Sequence, residues 1–334
     1  MDIDFTKIVG HPGIETLKVL GSGFYNQNAL YFLKDSGQEY VLKIYSPSLQ
    51  ATYENEVKSL KDLQTDSFFS KVVPRVYKSG QLDDSRYYVL MSKLPGTSLD
   101  QAIENMSPEN LKGVAEDISR FWQGEREFSS VGYKKDSSAT LLEQAFIRNF
   151  DKLGGDTWEK LGITRALQQK WLTWAGQAGD PEKLSLITQD FRLRHLLYSD
   201  QRISGLVDFE YMKHNDIALE IGHCLHDLLL LNTSASRRLF GFLWEKVIPD
   251  CSPKERYRIY LYMMKQGLGN IASKVKRGLK GELLTREIGL VTAYAKDENV
   301  DCVQKGIWPI PLSVEKSNSP VCSAKSNGRK RGQG

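Results

Sequence analysis

Two carboxylates 18 residues apart, Asp190 and Asp208, are the residues of this 334-residue chain best placed to do chemistry. Asp190 lies in the polar stretch Thr188-Gln189-Asp190-Phe191-Arg192-Leu193-Arg194-His195, just after the apolar Leu186-Ile187. Asp208 closes a second apolar run, Ile203-Ser204-Gly205-Leu206-Val207, and is followed by Phe209-Glu210. Between them, Ser199-Asp200-Gln201 reads as a turn joining two strands. One acid on a loop and another at a strand end suit phosphoryl transfer. One Asp would accept the proton of an attacking hydroxyl, and the other would hold magnesium against the phosphates. Many hairpins carry an Asp at each end, so the pair takes its meaning from what precedes it.

Three upstream segments supply partners. Val19-Leu20-Gly21-Ser22-Gly23-Phe24-Tyr25 precedes the apolar run Ala29-Leu30-Tyr31-Phe32-Leu33. Glycines at such a strand-to-strand turn let backbone N–H groups approach phosphate oxygens. No Gly-Lys-Ser/Thr follows, so this is not a Walker A loop. Tyr40-Val41-Leu42-Lys43-Ile44-Tyr45 reads as a strand with a lysine inside its apolar run, and such a lysine is costly to bury unless paired. The next helical pattern places Glu56 beside Val57, Leu60 and Leu63, which aims it inward and favours it over Glu54 as the partner of Lys43. Last, the strand Tyr87-Tyr88-Val89-Leu90-Met91 runs through Ser92, Lys93 and Leu94 into the break Pro95-Gly96.

With these parts in this order, the chain resembles the aminoglycoside phosphotransferase and choline kinase family of small-molecule kinases. Met91-Ser92-Lys93-Leu94-Pro95-Gly96 is similar to the family's Met-Glu-Tyr-Leu-Pro-Gly hinge. Leu206-Val207-Asp208-Phe209-Glu210 is similar to its Val-Ile-Asp-Trp-Glu. Asn215-Asp216-Ile217-Ala218-Leu219-Glu220 sits where the family has Gly-Asp-Pro and then an acid. The resemblance implies an α+β, two-lobed protein-kinase-like fold. A small β-rich nucleotide-binding lobe would span residues 1–92, and a large helical lobe for catalysis and acceptor binding residues 93–312. It implies a cytoplasmic kinase that uses ATP and Mg2+, bound between the lobes, to phosphorylate a hydroxyl of a small-molecule acceptor. Asp190 would be the base, and Arg192 would steady the transferred phosphoryl group. Gly21, Ser22 and Gly23 would cover the phosphates, and Lys43, positioned by Glu56, would bind them. Backbone groups of Ser92 and Leu94 would pair with the adenine edge. Asp208 and His195 would hold the metal.

Two positions depart from the family pattern. Thr188-Gln189-Asp190 stands where the family has His-Gly-Asp, and His195 stands where it has a magnesium-binding Asn. Imidazole prefers softer metals than magnesium. Lipopolysaccharide-core sugar kinases are similar in carrying a His there. Two alternatives therefore stay open: a sugar kinase of that kind, and a catalytically silent kinase fold that binds or regulates.

Composition narrows the classes. Hydrophobic residues make up 40% and charged residues 26%, as in an ordinary globular protein. No run of about 18 apolar residues occurs, so no membrane insertion is expected. Met1-Asp2-Ile3-Asp4-Phe5 has neither the basic segment nor the apolar core of a secretory signal. The net charge of +4 resides in residues 313–334, where five Lys/Arg face only Glu315. The body is therefore neutral and offers nucleic acid no net attraction, while the basic tail reads as disordered. Cys224, Cys251, Cys302 and Cys322 are widely spaced and read as reduced thiols. His223 and His226 read as partly exposed residues of a helix rather than metal ligands.

After Gly96 the pattern turns helical. Ser107-Pro108 opens a helix with Leu111, Val114, Ala115, Ile118, Phe121 and Trp122 on one face. Further helices are expected from Leu141 to Phe150, Arg165 to Trp174 and Ile217 to Leu231. Another begins at a Ser252/Glu255 capping box. Residues 128–183, where the family builds its acceptor site, hold no acidic cluster, which disfavours a polycationic aminoglycoside as acceptor.

Overall fold

The computed structural model describes residue 8 and residues 15–22, 29–35, 37–84, 86–133 and 140–307. Gly23 and the tail 313–334 lie outside them. The chain divides into two compact units, residues 1–137 with 182–227 and residues 138–181 with 228–334.

The first unit opens with an antiparallel five-stranded sheet of order β1-β2-β3-β5-β4. Its strands are β1 (Glu15–Ser22), β2 (Ala29–Asp35), β3 (Gln38–Tyr45), β4 (Val76–Asp83) and β5 (Arg86–Ser92). Two smaller antiparallel sheets follow. One joins β6 (Thr97–Ser98), β8 (Leu196–Ser199) and β9 (Arg202–Leu206), and the other joins β7 (Ser185–Ile187) and β10 (Lys213–Asn215). The helices, in chain order, are α1 (Gln50–Leu63), α2 (Leu99–Ala102), α3 (Pro108–Glu127), α4 (Thr140–Asp151), α5 (Gly155–Lys160) and α6 (Arg165–Gln177). Then come α7 (Ile217–Leu231), α8 (Ser234–Val247), α9 (Pro253–Lys276), α10 (Glu282–Tyr294) and α11 (Asp297–Gln304). A β-rich beginning and a helical remainder give the expected α+β arrangement.

β3 lies between β2 and β5, with Lys43 opposite Leu30 on one side and Val89 on the other. Successive strand side chains point to opposite faces. Leu42 and Ile44 join Leu33, Tyr88 and Leu90 in one apolar cluster. Lys43 and Tyr45 therefore turn to the other face, where the Lys43 Nζ lies 5.3 Å from the centre of the Tyr45 ring. Helix α1 buries Val57, Leu60 and Leu63, and Glu56 lies on the same buried side. Glu54 is exposed and accepts a hydrogen bond from Gln50 Nε2 at 2.8 Å.

Helix α3 begins where the sequence places it, with Ser107 Oγ accepting from the Asn110 N–H at 3.2 Å. Its buried face is the one read from the apolar spacing, with two acids added, Asp117 and Glu125. Asp117 accepts from Arg202 Nε at 2.8 Å and from the Ile203 N–H at 3.0 Å, which pins β9 to the helix. The β8–β9 turn carries positive φ at Asp200 (50°) and Gln201 (66°), as a two-residue hairpin turn requires.

Within the second unit, Phe146, Phe150, Trp158 and Trp171 form an aromatic core, and Trp158 Nε1 donates to the Phe150 carbonyl at 2.9 Å. Helix α8 starts at a Thr233/Ser236 capping box, where Ser occupies the position usually searched for Glu or Gln. Helix α9 starts at Ser252, whose hydroxyl accepts from the Glu255 N–H at 3.2 Å. Two expectations need correction. His223 and His226 are buried rather than partly exposed. Cys224 and Cys251 are free thiols, but Cys302 is disulfide-bonded.

The Pro95-Gly96 break is a fixed junction. Gly96 has φ +108°, and a Cβ there would lie 2.5 Å from the Tyr198 carbonyl oxygen and 2.9 Å from Ser204 Oγ. Ser204 Oγ in turn donates to the Pro95 carbonyl at 2.6 Å. Gly96→Ala is therefore expected to cost about 2 kcal/mol, from backbone strain alone. The midpoint of urea unfolding checks this, and an unchanged midpoint would mean that the turn relaxes freely.

Candidate active site

Lys43 is the centre of the site. Its Nζ donates to Glu56 Oε2 at 2.7 Å, Glu210 Oε2 at 2.9 Å and Asp208 Oδ1 at 3.1 Å. Tyr45 adds a phenolic hydrogen bond to Glu56 Oε2. Lys43, Glu56 and Glu210 are buried, while the Asp208 side chain keeps 28% of its surface exposed. Burial pushes the Lys43 ammonium toward neutrality, but Glu56, Tyr45, Asp208 and Glu210 overcome it and raise its pKa well above the ordinary lysine value. Burial would also raise the Asp208 carboxyl, yet Lys43, with help from Arg194, holds it below the usual carboxylate range. Asp208 is thus an anion, and Lys43 a cation, across the neutral range.

The elements that bring them together are separate in sequence. Strand alternation turns Lys43 inward, and α1 supplies Glu56. Asp208 follows the end of β9 in a left-handed conformation, φ +74°. A left-handed backbone is costly for a residue with a Cβ and persists only where its surroundings determine it. Here they do. The Val207 N–H donates to the His195 carbonyl at 3.0 Å. On the far side, Asn55 Nδ2 of α1 donates to the Glu210 and Met212 carbonyls at 3.0 and 3.1 Å.

The loop bearing Asp190 is fixed from beneath. Phe191 is fully buried, its ring centre 5.7 Å from Trp122 and 6.1 Å from Phe121 on α3. Thr188, also buried, donates its hydroxyl to both Glu220 oxygens, at 2.8 and 2.9 Å, and its N–H to Glu125 Oε1 at 3.3 Å. Gln189 between them has φ +67°, a second strained position beside the site. His195 then joins the two acids. Its Nδ1 lies 2.8 Å from the Asp190 carbonyl, which can only accept, so Nδ1 carries the proton. Nε2 keeps its lone pair, 3.5 Å from Asp208 Oδ2, and accepts from Arg194 Nε at 2.9 Å.

The two arginines differ. Arg192 is clamped by Asp227 through two hydrogen bonds of 2.5 Å, and its Nη1 lies 3.9 Å from Asp190 Oδ1. Arg194 is half exposed and donates to Asp190 Oδ2 at 3.2 Å.

Two sets of side chains have the donor atoms and spacing for a cation: Asp190, His195 and Asp208, and Glu56, Asp208 and Glu210. The Lys43 ammonium already fills the second. The first offers hard carboxylate oxygens, so magnesium fits at Asp208; His195 Nε2 is a softer donor whose lone pair accepts from Arg194, so it would ligate only with Arg194 displaced.

Of the residues singled out by sequence, Lys43, Glu56, Asp190, Arg192, His195 and Asp208 meet within the first unit. Gly21 and Ser22 end β1, and Gly23 lies outside the described residues. Ser92 ends β5 with its N–H donated to the Arg75 carbonyl at 2.9 Å, and Leu94 follows two residues on. Sequence reading did not assign Tyr45, Asn55, Glu125, Arg194, Glu210, Glu220 or Asp227 to the site. Two of them carried a usable signal: Glu210, an acid two residues after Asp208, and Glu220, the acid that follows Asn215-Asp216.

The chain and its fold have known counterparts. Residues 16–241 match the model of the phosphotransferase enzyme family, and the chain belongs to that family. Its fold is that of the kinase-like aminoglycoside phosphotransferases. The solved APH(4)-Ia is 14% identical, with 91% of this chain and 97% of that one covered and a TM-score of 0.62. The ADP-bound APH(2'')-Ib is 16% identical, with 87% and 95% covered and a TM-score of 0.53. The aminoglycoside-3'-phosphotransferase of type VIII is 16% identical, with 77% and 95% covered and a TM-score of 0.53. No curated protein matches the chain.

Removing the central cation should be costly. Lys43→Met strands three carboxylates at one buried point, and breaking a buried ion pair costs about 3–5 kcal/mol. The loss should be smaller at pH 5 than at pH 8, because protonation removes the stranded charge. Urea unfolding at the two pH values measures it; an equal loss at both would assign the lysine to packing.

Proposed function

We propose that this chain is a kinase that transfers the γ-phosphoryl group of ATP to a hydroxyl of a small-molecule acceptor. The observation that supports it most is the junction of Asp190 and Asp208 through His195, with Lys43 bound to Asp208 from the sheet. Residues 1–92 would form the nucleotide-binding part, and residues 93–312 the catalytic and acceptor-binding part.

Asp190 is partly exposed and accepts the proton of the acceptor hydroxyl. The hydroxyl oxygen bonds to the γ-phosphorus as the bond to the departing ADP oxygen breaks. Lys43, kept charged by Glu56, binds the α- and β-phosphates. Arg192 cannot swing away, because Asp227 holds its guanidinium, so it presents fixed positive charge beside Asp190. Asp208 and His195 would hold Mg2+, which would supply positive charge against the phosphates. Gly21 and Ser22 would cover the phosphates from β1. Leu94 and Ser92 would meet the adenine, Ser92 through its carbonyl because its N–H is already bonded. Rate enhancement in such a site comes from positioning and charge, not from covalent intermediates.

The solved relatives include APH(4)-Ia with AMP-PNP and hygromycin B, and APH(2'')-IIa with ATP and streptomycin. The lack of an acidic cluster over residues 128–183 argues for a less cationic hydroxyl compound here, sugars included. A second reading rests on Arg194, whose contact with Asp190 Oδ2 could keep that carboxylate permanently paired. The chain would then bind a nucleotide without turning it over.

Thermal unfolding with Mg-ATP separates the readings from a fold that binds nothing. A ligand at a hundred times its Kd stabilises by about 2.7 kcal/mol, and the shift should shrink in Asp208→Asn. No shift in the wild type would overturn nucleotide binding. Asp190→Ala should then lower turnover of an identified acceptor about a hundredfold or more while leaving the Mg-ATP shift in place. Undiminished turnover would remove Asp190 as the base.

A further inference from the structure

Two acids outside the reacting groups are buried directly beneath the loop that carries Asp190. Glu125, in the last turn of α3, is 1% exposed, and Glu220, in the first turn of α7, is 0% exposed. Their carboxyl groups face each other. The other groups facing the pair are the Thr188 and Gln189 N–H groups and the Thr188 hydroxyl. Asp190 and Cys224 are its titratable neighbours, and neither is a cation. Glu125 Oε1 accepts from the Thr188 N–H, but Glu125 Oε2 is buried with no donor. A bare carboxylate oxygen in that position, opposite a second carboxylate, is strongly unfavourable. A proton on Glu125 Oε2 removes both problems, because it satisfies that oxygen and donates toward Glu220.

We propose that Glu125 is a positioning residue: held as a carboxylic acid, it donates a hydrogen bond to Glu220, and the joined pair clamps Thr188 so that Asp190 is held in place. Its use in catalysis rests on the kinase reading above; the clamp itself does not. Thr188 has a bond to each member, N–H to Glu125 and hydroxyl to Glu220, and it stands two residues before Asp190. The pair therefore ties α3 and α7 to one point of the loop. In keeping with this, burial and then Glu220 raise the Glu125 carboxyl well above its ordinary value. Burial, against the bonds from Thr188 and Gln189, pushes Glu220 up to about 8. Both folded pKa values lie above the unfolded ones. The stability that Glu220 contributes is thus fully present below the ordinary carboxylate range, near 4.5, and is lost as pH rises through about 8; the contribution of Glu125 has the same sign.

The test compares full-length wild type with Glu125→Gln, Glu125→Ala and Glu220→Gln between pH 6 and pH 9.5. The readouts are melting temperature and hydrogen exchange of the loop peptide around Asp190. An amide mimics the neutral acid, so Glu125→Gln should match wild-type loop protection at pH 7 and keep it at pH 9, where the wild type loses it. Glu220→Gln removes the same charge from the other side and should flatten the same pH dependence, which keeps the test decisive if Glu125→Ala does not fold. Where it folds, Glu125→Ala should expose the loop at every pH. It should also lower acceptor-free Mg-ATP hydrolysis about tenfold or more with an unchanged KM for ATP. The proposal is overturned if Glu125→Gln exposes the loop at pH 7 as Glu125→Ala does. It is equally overturned if wild type and both amide variants share one pH dependence. Absence of any Mg-ATP effect, with the pH results as expected, would overturn the kinase reading and leave the clamp standing.

Discussion

Lys43 is a cation placed in the middle of a sheet, and the fold around the site is arranged to make that tolerable. An unpaired ammonium at this depth would cost several kcal/mol. Three carboxylates answer it, from α1 (Glu56) and from the segment after β9 (Asp208 and Glu210). The same contacts that keep Lys43 charged hold those two segments against β3. Three acids around one ammonium leave an excess of negative charge at Asp208, the one member that is partly exposed. The constraint that stabilises the sheet thus also leaves an anionic, partly exposed carboxylate at the site.

The loop carrying Asp190 follows a different logic. It has no regular structure to hold it, so buried contacts take that part. Phe191 is packed against Phe121 and Trp122, Thr188 is held by two buried acids, and Arg192 is clamped by Asp227. The strained backbone at Gln189 and Asp208 lies on either side of this arrangement. Strain of this kind persists where neighbours over-determine the conformation, and both positions are ringed by such neighbours. Rigidity at this point matters because phosphoryl transfer depends on alignment more than on reactive groups.

The two departures from the family pattern find physical accounts in their surroundings. Thr188, in place of His, still anchors the loop, because its hydroxyl and N–H reach Glu220 and Glu125. His195, in place of Asn, has Nδ1 committed to the Asp190 carbonyl and so turns Nε2 toward Asp208, where it accepts from Arg194 Nε. The loop thus keeps both an anchor and a ligand-capable atom with different residue types.

Local order was legible in the sequence. The strand around Lys43, the apolar faces of α1 and α3, the Asp200-Gln201 turn and the Pro95-Gly96 break all follow from short-range periodicity and turn chemistry. Even the choice of Glu56 over Glu54 followed from which face of one helix is apolar. Those features depend on residues within a few positions of each other, so their pattern is written along the chain. Glu125, Glu210, Glu220 and Asp227 stand in helices or after a strand where an acid looks like ordinary solvent-facing charge. Nothing nearby in sequence marks Glu125 or Asp227, and nothing nearby names the partners of Glu210 or Glu220. Their roles were decided by tertiary structure, because a buried charge takes its meaning from partners up to 167 residues away, as Glu210 and Lys43 are. Burial in a low-dielectric interior turns such distant meetings into strong interactions, whereas the same residues in water would hardly notice one another.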